Sequence, residues 1–384
     1  MSTYVVDTAA ERWFLANGLP AVLRPGALLR GLVSRSAPAL VFCAVIMANS
    51  VLMVAITGKH AIDIDGSPTR TEWFILALLV LVVPVATAFG RLASRIARTS
   101  TRNIVAAAAL FVMIVGGLFG GPSALIHIDL LIDALIVAVI FLCTATGVGS
   151  ILRWAARMTY QNLASMGNLL LGALPVLLLT VLVFFNSPVW SMASSISRGR
   201  LWAALLFLYL IAAMFLISHT LNNIRPILRD DLTDADSAAD RDRRLAGTPF
   251  EHLPERPQRV PLSRGERLNV GFVVALSQLV QVLTVALVTG VIFLVFGLIL
   301  LSPEVLEAWT HGGALDGEIL AMILPIPNAL IQVAMFLTAL TFMYLAAKAV
   351  TDKEYRGQFL DPLLDDVRRT LAARDRYRTA TAAR

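Results

Sequence analysis

Two aspartates with helical spacing are the residues of this sequence best suited to chemistry. Asp129 and Asp133 are four residues apart at the start of a long apolar run, so a helix through both places their carboxylates on one face. Carboxylates held close together repel each other, and a shared proton, a bound cation or a basic neighbour relieves the repulsion. Ionisable side chains inside a membrane span are costly and usually functional. The pair is therefore a candidate cation or proton site.

A purely structural interpretation of the same pair stays open. The run Ala134 to Leu152 is long enough to cross a bilayer alone, because about 20 apolar residues suffice. In that case Asp129 and Asp133 lie at the membrane interface as hydrated carboxylates. The two interpretations differ in where the helix begins.

Three histidines are predicted on the same outer side of the membrane as the aspartates. Imidazoles and carboxylates are ligands of zinc and similar divalent ions, and histidine titrates near neutral pH. No two of the histidines have ligand spacing, and an acidic outer side is also what any chain with its basic residues inside would show. The candidate outer site consists of Asp129, Asp133, His127, His60 and His311, and its metal is unknown.

Four amide side chains inside the last two apolar runs form a second set. Gln278 and Gln281 are three residues apart, and Asn328 and Gln332 are four apart, so each pair shares a helix face. Amides in membrane spans usually bond across helices, at about 0.6 kcal/mol each. These candidate intramembrane polar contacts are interpreted as packing contacts, with the lining of a polar path as the alternative.

Motifs of catalysis and cofactor binding are missing from the sequence. It has no phosphate-binding glycine loop with lysine, no Cys-x-x-Cys, no His-Glu-x-x-His and no Gly-x-Ser-x-Gly. The two cysteines, Cys43 and Cys143, lie inside apolar runs, which is typical of packing residues. We therefore expect no cofactor and a protein that is not an enzyme.

Membrane spans are the elements that must position these residues. Only 15% of the 384 residues are charged, whereas soluble domains carry about a quarter, and mean hydropathy is +0.75. The composition excludes a soluble protein and predicts an all-α polytopic transmembrane helical bundle of about eight spans. The predicted spans are Ala37–Thr57, Trp73–Gly90, Ile104–Gly120, Ala134–Leu152, Leu169–Phe185, Leu201–Ser218, Val270–Leu301 and Pro327–Val350.

The distribution of basic residues predicts the orientation. With the N-terminus in the cytoplasm, 27 of the 32 lysines and arginines fall in inner segments and only four in outer loops. An even number of spans then places both termini in the cytoplasm. The predicted location is the cell membrane, which in bacteria is the cytoplasmic membrane. This asymmetry explains the net charge of +6, so nucleic acid is not an expected partner.

The segments outside the spans are expected to be interfacial or charged. The predicted organisation is an N-terminal interfacial segment, spans one to six, a charged linker, spans seven and eight, and an amphipathic cytoplasmic tail, at residues 1–36, 37–218, 219–269, 270–350 and 351–384.

The tail carries a helix pattern. Pro362 suits the first turn of a helix, and Leu363, Leu364, Val367 and Leu371 repeat at helical spacing. We expect this face to lie on the inner leaflet or to dock on a partner. The expected partners are thus the lipid bilayer and other proteins that contact the tail or the linker.

Two glycines four residues apart suggest close helix packing in the third span. Gly116 and Gly120 have the small-xxx-small spacing that lets membrane helices approach each other closely.

Short stretches of the sequence resemble the uncharacterised multi-pass membrane proteins of actinobacteria. That group has no assigned activity, so the resemblance implies a membrane location and nothing more. The matching stretches are Glu11-Arg12-Trp13-Phe14, Gly18-Leu19-Pro20, Pro261-Leu262-Ser263-Arg264, Leu268-Asn269-Val270-Gly271 and Thr351-Asp352 to Arg356.

Three functional classes therefore remain. The favoured one is a non-enzymatic scaffold or accessory component of the cell envelope. The alternative is a transporter of an ion or small solute that uses the outward-facing carboxylates. An intramembrane enzyme ranks last, because no nucleophile lies beside a base.

Overall fold

The protein is predominantly helical. The computed structural model describes residues 3–23, 26, 28–58, 64, 68–120, 126–161, 181–228, 243, 245–251, 261–310, 316–319, 322–351 and 360–382. The elements are α1 (Thr3–Ala16), a 3-10 helix (Pro20–Val22), α2 (Leu32–Thr57), α3 (Arg70–Arg95), α4 (Thr99–Phe119), α5 (Ile126–Ala145), α6 (Val148–Gln161), α7 (Ser187–Ser195), α8 (Arg198–Leu228), α9 (Arg264–Leu300), α10 (Pro303–Thr310), β1 (Asp316–Ile319), β2 (Met322–Pro327), α11 (Asn328–Thr351) and α12 (Asp361–Ala382).

The chain forms two compact units. The four-helix unit comprises Leu28–Gly149, which contains α2 to α5, and Gly313–Ile331. The terminal unit comprises Met1–Ala27, Ser150–Gly312 and Gln332–Arg384.

Seven of the described helices are long and apolar enough to cross a membrane: α2, α3, α4, α5, α8, α9 and α11. They match seven of the eight predicted spans, which confirms a multi-pass membrane protein. The predicted fifth span, Leu169–Phe185, lies outside the described residues except for 181–185.

The fourth span was predicted too far along the chain. Its helix, α5, begins at Ile126 and ends at Ala145, so the span does not reach Leu152. Gly147 follows with a φ of 80°, a left-handed conformation that ends the helix at low cost only for glycine. The separate helix α6 then begins at Val148. Both aspartates therefore lie inside the fourth spanning helix.

A short β-hairpin interrupts the expected all-α pattern. Strands β1 and β2 pair antiparallel, with Gly317 opposite Leu324 and Ile319 opposite Met322. Pro325 and Pro327 lie in β2, so the last spanning helix begins at Asn328 and not at Pro327, where the eighth span was predicted to begin. Proline is compatible with a two-stranded hairpin because each strand is an edge that leaves some N–H groups unpaired.

The seventh run forms one continuous helix. α9 has 37 residues, about 55 Å, which exceeds a hydrocarbon core of about 30 Å. Its first turn is fixed by a capping box, because Ser263 N–H donates to Glu266 Oε2 at 2.9 Å and Glu266 N–H donates to Ser263 Oγ at 3.3 Å. The helix thus begins in a polar environment before its apolar part.

Close packing of α2 and α4 depends on the predicted glycines. A Cβ atom on Gly116 would lie 2.6 Å from Cβ of Met47, and one on Gly120 would lie 2.8 Å from the backbone N of Val51. The Ser50 hydroxyl also donates to the Gly120 carbonyl. Only residues without a side chain permit this approach.

Gly120→Ala is expected to lower the free energy of unfolding by about 1–3 kcal/mol, because the backbone of Val51 cannot move aside easily. Thermal unfolding in detergent micelles measures the change. Gly199→Ala in α8 is the control, since nothing lies within 4 Å of its added Cβ. Equal unfolding temperatures for the two variants would show that α2 and α4 do not pack through Gly120.

The tail helix packs on the chain itself. In α12, Leu363, Leu364 and Val367 are buried and Leu371 is half-buried. Leu363 belongs to a core cluster formed with Ile151, Trp154 and Ala155 of α6 and Val273 of α9. The indole of Trp154 donates to Asp366 Oδ2 at 2.8 Å. The face expected on the leaflet or on a partner is therefore mostly buried within the chain, with Leu363 packed against α6 and α9.

A buried ion pair joins the tail to the start of α9. Arg374 donates from Nε to Glu266 Oε1 at 3.0 Å and from Nη2 to Glu266 Oε2 at 2.8 Å. The exposed fractions of the two side chains are 2% and 0%. Arg378 adds a contact to Oε1 at 2.8 Å. Burial alone would lower the pKa of Arg374, but hydrogen bonds to Glu266 and Asp375 raise it, so the guanidinium stays charged.

The N-terminal segment and part of the linker join the same structure through aromatic rings. Phe250 lies 5.1 Å from both Trp13 and Phe14, and Phe14 lies 5.5 Å from Tyr377, measured between ring centroids. Arg376 donates to the carbonyl of Phe250 at 3.2 Å. We call α1, the 3-10 helix, α6, residues 245–251, the first turn of α9 and α12 the terminal assembly.

Helical structure extends into the predicted charged linker, residues 219–269. α8 continues from Arg198 to Leu228, past the predicted end of the sixth span at Ser218. Residues 245–251 pack in the terminal assembly, with Leu245 and Phe250 buried. The linker residues 229–242, 244 and 252–260 lie outside the described part of the chain.

Arg374→Gln is expected to release α12, because Glu266 would keep a buried charge with only Arg378 beside it. Breaking such a buried pair costs about 3–5 kcal/mol. Hydrogen exchange of residues 361–382 measures the loss of protection. Arg368→Gln removes only an exposed i,i+3 pair with Asp365, worth about 0.5 kcal/mol or less. The claim is wrong if both variants keep wild-type protection.

Candidate carboxylate site

The helix α5 brings Asp129 and Asp133 onto one face. It begins at Ile126, three residues before Asp129, so both residues have helical backbone. Their exposed fractions are 6% and 7%. Of the two interpretations of the sequence, the structure has the geometry in which the carboxylates share a face.

Asp133 lies well inside the spanning helix. At 1.5 Å per residue it is about 10 Å from the first residue, Ile126, in a helix about 30 Å long. That length equals the hydrocarbon thickness of a typical bilayer, and Asp133 lies about one third of the way along this helix.

A glycine of α4 lies directly against the Asp133 carboxylate. A Cβ atom on Gly117 would be 2.5 Å from Asp133 Oδ2 and 3.2 Å from a methyl carbon of Leu130. Cys43 of α2 lies within electrostatic range of Asp133. A buried apolar cluster, from Ala37 to Ala44 in α2 and from Ala106 to Met113 in α4, continues from this level along the two helices. The sequence did not connect Gly117 or Cys43 with the aspartates, since Cys43 has the position of a packing residue and Gly117 is marked only by its place next to Gly116.

One oxygen of this site has no partner. Asp133 Oδ2 is buried and accepts no hydrogen bond from any described residue. Asp129 is close enough to repel it when both are ionised. Within the described part of the chain neither aspartate forms an ion pair, and burial of an unpaired charge is strongly unfavourable. A proton on the pair or a cation between the carboxylates would remove the conflict.

The histidines do not complete a ligand set in the described residues. His127 is exposed at the start of α5, two residues from Asp129 and on another side of the helix. His60 and His311 lie outside the described part of the chain. Among the described histidines, cysteines and carboxylates, no group of three is placed to hold a metal ion. The metal hypothesis therefore stays a prediction.

The amides of the last two spans are in the protein interior. Gln278 and Gln281 in α9 and Gln332 in α11 are 3%, 1% and 2% exposed, and Asn328 is half-buried. Gln332 Nε2 donates to the Ile196 carbonyl at 3.5 Å. Neither amide atom of Gln281 has a hydrogen-bond partner among the described residues. The amides therefore face protein, and their role as polar contacts stays a prediction.

Comparisons with known proteins give no relative from which an activity can be inferred. No protein-family model matches the sequence, and no curated protein or solved structure is significantly similar. The seven described helices of spanning length support the assignment as a multi-pass membrane protein.

Proposed function

We propose that this is a bacterial cytoplasmic-membrane protein of the kind found in actinobacteria, with both termini in the cytoplasm. The support is the concentration of 27 of 32 basic residues in the segments that become internal in this orientation. The even number of spans includes the predicted fifth span beside the seven described helices.

Cysteine labelling tests this orientation. In a chain with Cys43 and Cys143 replaced by serine, single cysteines at Ser2, Ser237 and Ala383 should react with a membrane-permeant maleimide and resist an impermeant one. A cysteine at Ser302, on the predicted outer side, should react with both. Reaction of any of the first three with the impermeant reagent in intact cells would contradict the proposed topology.

The main functional proposal is a transporter of an ion or small solute with a proton- or cation-binding site at Asp129 and Asp133. The observation that carries it is Oδ2 of Asp133, which is buried inside a helix of spanning length and has no hydrogen-bond partner among the described residues. Ionisable residues in such positions are rare and mark ion pathways and proton relays. Because no similar protein supplies an activity, the proposal rests on the position and surroundings of these two aspartates.

The chemistry of the site follows from its charges. When both carboxylates are ionised, Asp133 keeps a charge at a buried position, without a hydrogen-bond donor to Oδ2 among the described residues, and repels Asp129. A proton or a monovalent cation bound between them leaves one net charge on two carboxyl groups, and a divalent cation leaves none. Either event changes the energy of packing α5 against α4 at Gly117, which is how occupancy would reach the rest of the unit.

A non-enzymatic scaffold or accessory envelope component is the second candidate. The terminal assembly favours it, because both ends of the chain and residues 245–251 form one packed structure that a partner can recognise as a surface. In this case Asp129 and Asp133 affect only the stability of the folded protein. Neither candidate requires an enzymatic reaction.

Replacement of both aspartates separates these candidates. Asp129→Asn with Asp133→Asn should remove the pH dependence of thermal unfolding, while wild type loses about 1–3 kcal/mol of stability as pH rises and the pair ionises. In proteoliposomes with an entrapped pH dye, wild type should carry protons or exchange a cation for them, and the double variant should not.

A matched control removes the same charge elsewhere. Glu304→Gln with Glu307→Gln changes two exposed carboxylates on the same predicted side and should behave as wild type. A pH response without any flux would support the scaffold. A double aspartate variant with wild-type pH response and flux would show that the pair takes no part in either.

A further inference from the structure

A groove between α8 and α9 ends in two arginines. Its volume is about 490 Å³, within the range of about 300–1,000 Å³ that is typical of ligand sites. Arg225 lies in the last turns of α8 and Arg267 in the first turn of α9, so both guanidinium groups belong to the same end of the groove. We propose that this groove binds an anionic phospholipid of the inner leaflet.

The rest of the groove is apolar and suits an acyl chain. Beyond the arginines its wall includes Leu221, Leu268, Phe272, Ala275 and Leu279. Leu268 and Phe272 are 74% and 47% exposed, so this surface has no cover among the described residues. In a bilayer such side chains contact lipid tails.

The floor of the groove is fixed by a close helix contact. A Cβ atom on Gly271 would lie 3.0 Å from a methyl carbon of Leu221, so α8 approaches α9 closely at this glycine. The two helices therefore meet along the bottom of the groove at this glycine.

The length of the groove matches one leaflet. From Arg267 to Leu279 the helix rises about 18 Å at 1.5 Å per residue. Half of a hydrocarbon core of about 30 Å is about 15 Å. A lipid with its headgroup at Arg267 would therefore extend its tail along the groove to the middle of the bilayer.

The two guanidinium groups are available to a phosphate. Arg225 and Arg267 are exposed, and neither forms an ion pair within the described part of the chain. Arg374, by contrast, is buried against Glu266. Guanidinium groups bind phosphate through paired hydrogen bonds, and basic pockets between helices on the cytoplasmic side recognise anionic headgroups. Two cations above an apolar channel thus select a lipid with net negative charge over a zwitterionic one.

Photocrosslinking of the full-length protein in nanodiscs tests the site. Benzoylphenylalanine at Phe272, inside the groove, should capture phosphatidylglycerol in preference to phosphatidylcholine with the same acyl chains. The same probe at Phe111 of α4, an exposed position outside the groove, should show no such preference.

Arginine variants test the headgroup contact. Arg225→Gln with Arg267→Gln should reduce the preference for phosphatidylglycerol about thirtyfold, because each arginine near a membrane surface contributes about fivefold. Arg91→Gln with Arg95→Gln removes two exposed arginines from another helix on the same predicted side and should leave the preference unchanged.

Three results would overturn the proposal. The first is an unchanged preference in the Arg225 and Arg267 double variant. The second is an equal loss in the control pair, which would indicate general surface attraction. The third is capture of a peptide from residues 162–180 or 229–242 at Phe272, which would show that the chain itself fills the groove. None of these outcomes depends on the carboxylate site of the four-helix unit.

Discussion

Glu266 is a carboxylate with no access to water, so its charge must be compensated by cationic partners. The contacts that join the tail helix to the rest of the terminal unit include these partners. Arg374 and Arg378 reach Glu266 from α12, and its own capping contacts with Ser263 fix the first turn of α9. Desolvation of two charges is expensive, so such a pair adds specificity more reliably than it adds stability. Here it fixes one position of the tail helix relative to α9. Two other contacts of the tail are consistent with that position: the hydrogen bond from Trp154 to Asp366, and the packing of Leu363 against the α6 cluster.

The second buried acid, Asp133, has the opposite environment. Glu266 is surrounded by donors, whereas Oδ2 of Asp133 has a glycine and apolar side chains around it and no donor among the described residues. The same physical rule, that a buried charge must be compensated, therefore identifies one acid as structural and the other as a candidate for exchange with protons or cations. The difference comes from the neighbours of each residue, since both are acids near the start of an apolar helix.

Particular residues show where prediction from the sequence succeeds. Runs of about 20 apolar residues predict spanning helices because every backbone group must be bonded within the bilayer, and seven of these runs are helices of spanning length. The leucine pattern of the tail is local, and α12 is present with that face buried.

The limits of the fourth span were wrong because Gly147 ends α5 after Ala145, whereas the apolar run itself continues to Leu152. The hairpin of β1 and β2 was also missed, since proline is equally compatible with a helix start and an edge strand.

The sequence by itself determined that the chain crosses a membrane several times, and it identified Asp129 and Asp133 as a pair, because composition and helical period are properties of neighbouring residues. Only the tertiary structure decided what each polar group contacts. It placed Gly117 against Asp133, Arg374 against Glu266 and α12 on α6 and α9. These partners are separated by 16 to 212 residues in the chain. A contact between such distant residues depends on how helices pack, and the periodicity of one helix contains no information about its neighbour's register.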